Sequence, residues 1–198
     1  MKTIVASLLI AVLLLGCTAR SNEPLAKAAA TGDLQLLGKL LAGASLENRQ
    51  TALVWAARSG QPGAIELLIR AGVDPNFTWG VNGWPVLMHA IHKDQPGSVE
   101  MLLDNGADVN QRGANGETPL MMAAGYGYTD IAGILLEHGA DAHATLSNGE
   151  NALDFAAEGV ADIDRFTWGR CQTGTVKLLR ERVPDLSPKE TRKLKSCS

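Results

Sequence analysis

Gly116-Glu117-Thr118-Pro119-Leu120-Met121-Met122-Ala123-Ala124, followed by Ile134-Leu135-Leu136-Glu137-His138-Gly139-Ala140-Asp141, is the stretch that decides the fold. Its closing triplet has two relatives upstream, Gly72-Val73-Asp74 and Gly106-Ala107-Asp108, at intervals of 34 and 33 residues. Nineteen residues before each glycine stands a leucine: Leu53, Leu87 and Leu120. Leu153 continues the series one period further on. A fixed period of this length means stacked copies of one small supersecondary unit.

Each copy reads as two helices. Thr118 suits an N-cap and Pro119 the first turn after it. Ala123 and Ala124 are small enough for neighbouring copies to approach closely. Ile131, Ile134, Leu135 and Leu136 recur at helical spacing, and Gly139 supplies a left-handed stop. The copy before it repeats this with Val99, Met101, Leu102, Leu103 and Gly106, and the one before that with Ile65, Leu67, Leu68, Ile69 and Gly72. These motifs resemble the ankyrin repeat, whose opening is T-P-L-H-x-A. The resemblance covers residues 23–183. It implies an all-α ankyrin-repeat solenoid of about five helix-turn-helix units with projecting β-hairpin-like fingers. It also implies a recognition surface rather than a catalyst.

The ends depart from the period. Gly43 to Leu53 is ten residues, against fourteen or fifteen elsewhere, so the first finger is trimmed as in a capping unit. Leu153 to Val176 is 23 residues where Leu53 to Ile65 is 12, which places an insertion of 11 residues within Glu158 to Thr173. That segment contains Phe166, Trp168, Arg170 and Cys171. After Pro184, Ser187-Pro188-Lys189-Glu190 reads as a capping box opening a short basic helix, so 184–198 is expected to be a basic C-terminal helix or tail.

The N-terminus reads as an address. Lys2 is followed by the apolar run Ile4 to Leu15, twelve residues and too short to span a bilayer. The run ends in Leu14-Leu15-Gly16-Cys17, similar to the bacterial lipoprotein signal. The resemblance implies a signal peptide at 1–16 and a lipidated Cys17 opening a short tether at 17–22. Thr18, where Asp is the usual retention signal, implies sorting to the outer membrane. Thr18 to Asn22 is five residues and reaches at most about 18 Å. The expected location is the periplasmic face of the bacterial outer membrane, held there by lipid. In that oxidising compartment Cys171 and Cys197 are candidates for a disulfide; it would close a loop of 27 residues, worth about 3.5 kcal/mol in the chain-entropy model.

Composition narrows the function. The 198-residue chain has a formal net charge of −3 with mixed signs, which gives no basic patch for nucleic acid. The sequence contains no phosphate-binding glycine loop, Cys-x-x-Cys, His-Glu-x-x-His or Gly-x-Ser-x-Gly. His89 and His92 sit three apart without an obvious third ligand. No catalytic residue, metal site or cofactor is therefore expected.

In the ankyrin family the residue two after the leucine faces the concave groove. That rule selects Lys27, Trp55, His89, Met122 and Phe155, with Arg58, His92 and Tyr126 among those one turn further on. Aromatics and methionine flanked by arginine, histidine and tyrosine have the composition of an interaction hot spot. The fingers and insertion supply Phe77, Trp79, Arg112 and Trp168 as a second candidate surface, with Trp79 the residue expected to be exposed. A monomeric, non-catalytic binder of a protein partner is expected. The partner is either an effector toxin, such as a phospholipase neutralised by an immunity protein, or a resident periplasmic enzyme for which the chain is a scaffold or accessory factor.

Overall fold

A computed structural model describes residues 24–159 and 171–189. Five helix pairs follow one another: α1 (Pro24–Thr31) with α2 (Leu34–Leu41), α3 (Leu46–Arg58) with α4 (Pro62–Arg70), α5 (Val86–His92) with α6 (Pro96–Asp104), α7 (Pro119–Tyr126) with α8 (Thr129–Glu137), and α9 (Ala152–Glu158) with α10 (Thr173–Arg182). The first helices contact in the order α1, α3, α5, α7, α9, and the second helices in the order α2, α4, α6, α8, α10. Two parallel rows of helices make the all-α solenoid that the period implies.

The repeated leucines are the reason the rows hold. Leu53, Leu87, Leu120 and Leu153 are all fully buried, each at 1% exposure or less. Burying one such side chain contributes roughly 1.5–3 kcal/mol. Ala56, Ala57, Ala90, Ala123, Ala124 and Ala156 are likewise buried, so the inner helices meet without intervening bulk. The helix starts are capped as their residues suggest. Thr118 Oγ1 accepts the Met121 amide at 3.2 Å, with Pro119 next to it in the first turn. Asn151 accepts the Leu153 amide at 2.9 Å, and Asp154 Oδ2 returns a bond from the Asn151 amide at 3.1 Å.

The units are also stitched at the turn between their two helices. A Cβ on Gly32, Gly60 or Gly127 would collide with the side-chain amide of Gln61, Gln95 or Gln172 in the following unit, and all three glycines have positive φ. At the equivalent place Asp94 carries φ 56°, and there the following unit presents Tyr128 instead of glutamine. The glycine is thus required where the next unit lays an amide upon it.

The fingers are joined by asparagine. Asn76 Nδ2 donates to Gly106 O at 3.0 Å, and its Oδ1 accepts from Asp108 N at 2.7 Å. Asn110 repeats the pair one unit later, with Gly139 O at 3.3 Å and Asp141 N at 2.8 Å. Among the described residues only the finger between α4 and α5 contains strands, β1 (Thr78–Trp79) and β2 (Trp84–Pro85), paired antiparallel. Its extra residue is accommodated by a turn in which Gly83 N donates to Gly80 O at 3.2 Å.

Both ends differ from the middle. Only residues 42–45 join α2 to α3, in keeping with a trimmed first finger. In the fifth unit residues 159–172 join the two helices, where the other units use two or three residues, so the insertion stands. Residues 183–189 form no helix; they turn back onto the fifth unit instead. Leu186 is buried, Asn151 Nδ2 donates to Ser187 O at 2.7 Å, and the Lys189 amide donates to Asp154 at 3.0 Å. Cys171 is disulfide-bonded; Cys197, its expected partner, lies outside the described residues, as do Cys17, Trp168 and any helix beyond 189. No helix among the described residues is long and apolar enough to cross a membrane.

Candidate protein-binding groove

The concave side carries a depression of ≈ 250 Å³. Its helical wall is Met122 and Tyr126 from α7 and Phe155 from α9. Trp84, Asn115, Glu117 and Leu146, from the finger side, complete it. Helix spacing accounts for the first set: Met122 and Tyr126 lie four apart on one face, and Phe155 occupies the register of Met122 in the next unit. The second set depends on the fingers folding back over the groove. Trp84 Nε1 donates to Glu117 Oε1 at 2.8 Å. Gly113 makes that possible, because a Cβ there would press on the Glu117 carboxylate at 2.6 Å and on the Trp84 ring at 3.0 Å.

An aromatic row runs from this depression along the groove. Trp84 lies 5.4 Å from His92, His92 is 5.7 Å from Tyr126, and Tyr126 stacks on Tyr128 at 5.4 Å and 15°. His92 Nδ1 is 3.1 Å from the Tyr126 hydroxyl. Such edge and offset contacts fix ring orientation and contribute about 0.5–1.5 kcal/mol each beyond burial.

The structure separates the residues expected on the groove. Met122, Tyr126 and Phe155 come together at the depression, with His92 adjoining through Trp84 and Tyr126. Trp55 and Arg58 form a separate contact, the guanidinium 5.7 Å from the ring centroid, and do not line the depression. His89 is a correction: it is 5% exposed and lies beneath the finger, edge-on to Trp79 at 5.6 Å and to Trp84 at 5.7 Å. Its Nε2 lies 3.2 Å from Trp79 O, which can only accept, so Nε2 carries the proton. Its Nδ1 is buried without a hydrogen-bond partner among the described residues. Burial is the main reason its pKa is pushed down from 6.5 to about 4; Arg58 and His92 add to the effect, while the Trp79 carbonyl opposes it. The imidazole is neutral and covered by Trp79 and Trp84, and His89 does not line the depression.

Trp79 is the second correction. Sequence reasoning leaves it exposed, whereas β-pairing and the His89 contact hold it half-buried against the core. Phe77 also packs on the core, half-buried. The large hydrophobic residue that is open at that finger is Val81, at 101% exposure. Arg112 is exposed but braced: Nη1 donates to Gly116 O at 2.6 Å and to Thr145 O at 3.0 Å, tying its finger to the next. Trp84, Glu117 and Leu146 are site residues that the groove rule does not select. Among the described residues no three His, Cys, Asp or Glu side chains gather as a metal site.

The depression, the aromatic row and the hydrogen-bonded fingers are features of a surface suited to protein contact. The family model "Ankyrin repeats (3 copies)" matches residues 8–78, 25–113 and 87–166. No curated protein matches the chain. Repeats of this kind are generic protein–protein interaction modules and are typically non-catalytic. With its five stacked helix pairs and family match, the chain belongs to the ankyrin-repeat family.

Proposed function

We propose that this ankyrin-repeat protein is a lipid-anchored, periplasm-facing protein of the bacterial outer membrane that neutralises an antibacterial effector by binding it in the concave groove. The observation that carries the reading is the depression between α7, α9 and the fingers. It is concave and predominantly apolar, with three aromatic side chains among its lining residues. Aromatic anchors in desolvated pockets dominate protein-binding energy. The address rests on sequence: the apolar run to Leu15, then Gly16-Cys17, with α1 starting at Pro24 only a short tether away. A tether of this length holds the domain near the bilayer, where a lipid-degrading toxin such as a phospholipase would act.

The test is periplasmic co-expression of the full chain with the effector encoded beside it. Restored growth supports the immunity reading. Continued killing despite normal levels of the chain contradicts it. A Cys17→Ser chain tests the anchor separately: it should lose radiolabelled palmitate incorporation and leave the outer-membrane fraction. Retention in that fraction without the cysteine would overturn the lipid-anchor reading.

A further inference from the structure

The depression carries one formal charge. Of its lining residues Glu117 is charged, and no lysine, arginine or histidine is among them. Glu117 Oε1 is occupied by the Trp84 indole at 2.8 Å. Glu117 Oε2 is buried and has no hydrogen-bond partner among the described residues. With Oε1 engaged and Oε2 enclosed, the carboxylate acts through its field, which leaves the depression negative and favours a cationic occupant. The aromatic residues favour the same occupant. Trp84, Tyr126 and Phe155 line the depression, and aromatic faces attract cations more strongly as water is excluded. Met122 and Leu146 supply apolar contact for a hydrocarbon stem. The volume of ≈ 250 Å³ equals about eight water molecules at liquid density, the scale of one long side chain.

We propose that the depression receives a basic side chain, arginine or lysine, presented by the protein partner. Its cationic head sits among the aromatic rings on the Glu117 side of the depression, drawn by the carboxylate's charge, and its stem lies against Met122 and Phe155. This rests on the protein-binding reading of the groove and names the chemistry that the partner brings to it.

The test uses the full chain in detergent micelles, labelled with ¹⁵N at tryptophan. The indole N–H resonance of Trp84 is assigned by its loss in Trp84→Phe. The probes are N-acetyl-arginine methylamide, N-acetyl-lysine methylamide, the neutral citrulline analogue and choline. The Trp84 resonance should shift saturably with at least one basic analogue and bind citrulline at least tenfold more weakly. Glu117→Gln should weaken the basic analogue at least tenfold while the other indole resonances stay in place. Phe155→Leu, which retains apolar bulk, should weaken it at least threefold and keeps the test open if Glu117→Gln misfolds. Three results would overturn the assignment: no saturable shift with either basic analogue, equal binding of citrulline, or saturation by choline alone, which would point to a lipid headgroup. Growth protection against the effector scores the protein-binding reading separately, so the two can fail independently.

Discussion

Acidification should destabilise this protein through one side chain, His89. In the fold its pKa is about 4 against 6.5 for a free imidazole. The unfolded chain therefore binds more protons between those values, and stability must fall as pH drops through that window. The contribution of the neutral imidazole is fully present above pH 6.5 and fully lost below pH 4. A difference of 6.5 − 4 units corresponds to about 3 kcal/mol in total, and about 2 kcal/mol is already lost at pH 5. The structural cause is specific: a second proton on Nδ1 would be buried without an acceptor, beside Arg58 and His92. His89→Gln removes the titration while leaving an amide that can donate to Trp79 O. Urea unfolding of both chains between pH 7 and pH 4.5 measures the effect. The stability gap between the two chains should shift by about 2 kcal/mol in favour of His89→Gln from pH 7 to pH 5, roughly 4–8 °C in Tm for a domain of this size. Parallel pH profiles for the two chains would refute the reasoning, because carboxylates titrate alike in both.

Three further perturbations test the stack itself. Asn110→Ala removes the bonds to Gly139 O and Asp141 N and should cost about 1–2 kcal/mol in urea unfolding; a cost below about 0.3 kcal/mol would make the asparagine ladder decorative. Gly60→Ala should cost at least about 1–2 kcal/mol from left-handed strain, and Gln95→Ala in the same chain should recover only the collision component, read by thermal melting. Asp154→Ala removes the acceptor for the amides of Asn151 and Lys189 and should destabilise by about 3 kcal/mol while exposing residues 184–189 to trypsin; unchanged digestion would mean the C-terminal segment is held by something else.

The period made the stack legible because one leucine per copy must be buried for any unit to hold its neighbour. Leu53, Leu87, Leu120 and Leu153 are interior for that reason, and Thr118 and Gly139 bound their helices as their side chains dictate. Half of the depression was legible on the same grounds, since Met122, Tyr126 and Phe155 follow from helix register. The other half was not. Trp84, Glu117 and Leu146 reach the groove through fingers whose course is set by bonds between units, such as Asn76 to Gly106 and Arg112 to Thr145. A signal for that course exists: Asp74-Pro75-Asn76 and Asp108-Val109-Asn110 share an asparagine two after the aspartate, and Asp141-Ala142-His143 ends the run. His89 has the same register as Met122 and Phe155, yet the longer finger folds Trp79 and Trp84 over it. Register alone does not tell an open groove position from a covered one.

The most direct test of the groove is the affinity of the full chain for its effector, measured by titration calorimetry before and after the double substitution Tyr126→Ala and Phe155→Ala. Two aromatic anchors at about 2 kcal/mol each correspond to a loss of at least 100-fold, with the helical circular dichroism unchanged. An affinity unchanged by both substitutions, in a chain that remains folded, would contradict the assignment of binding to this depression.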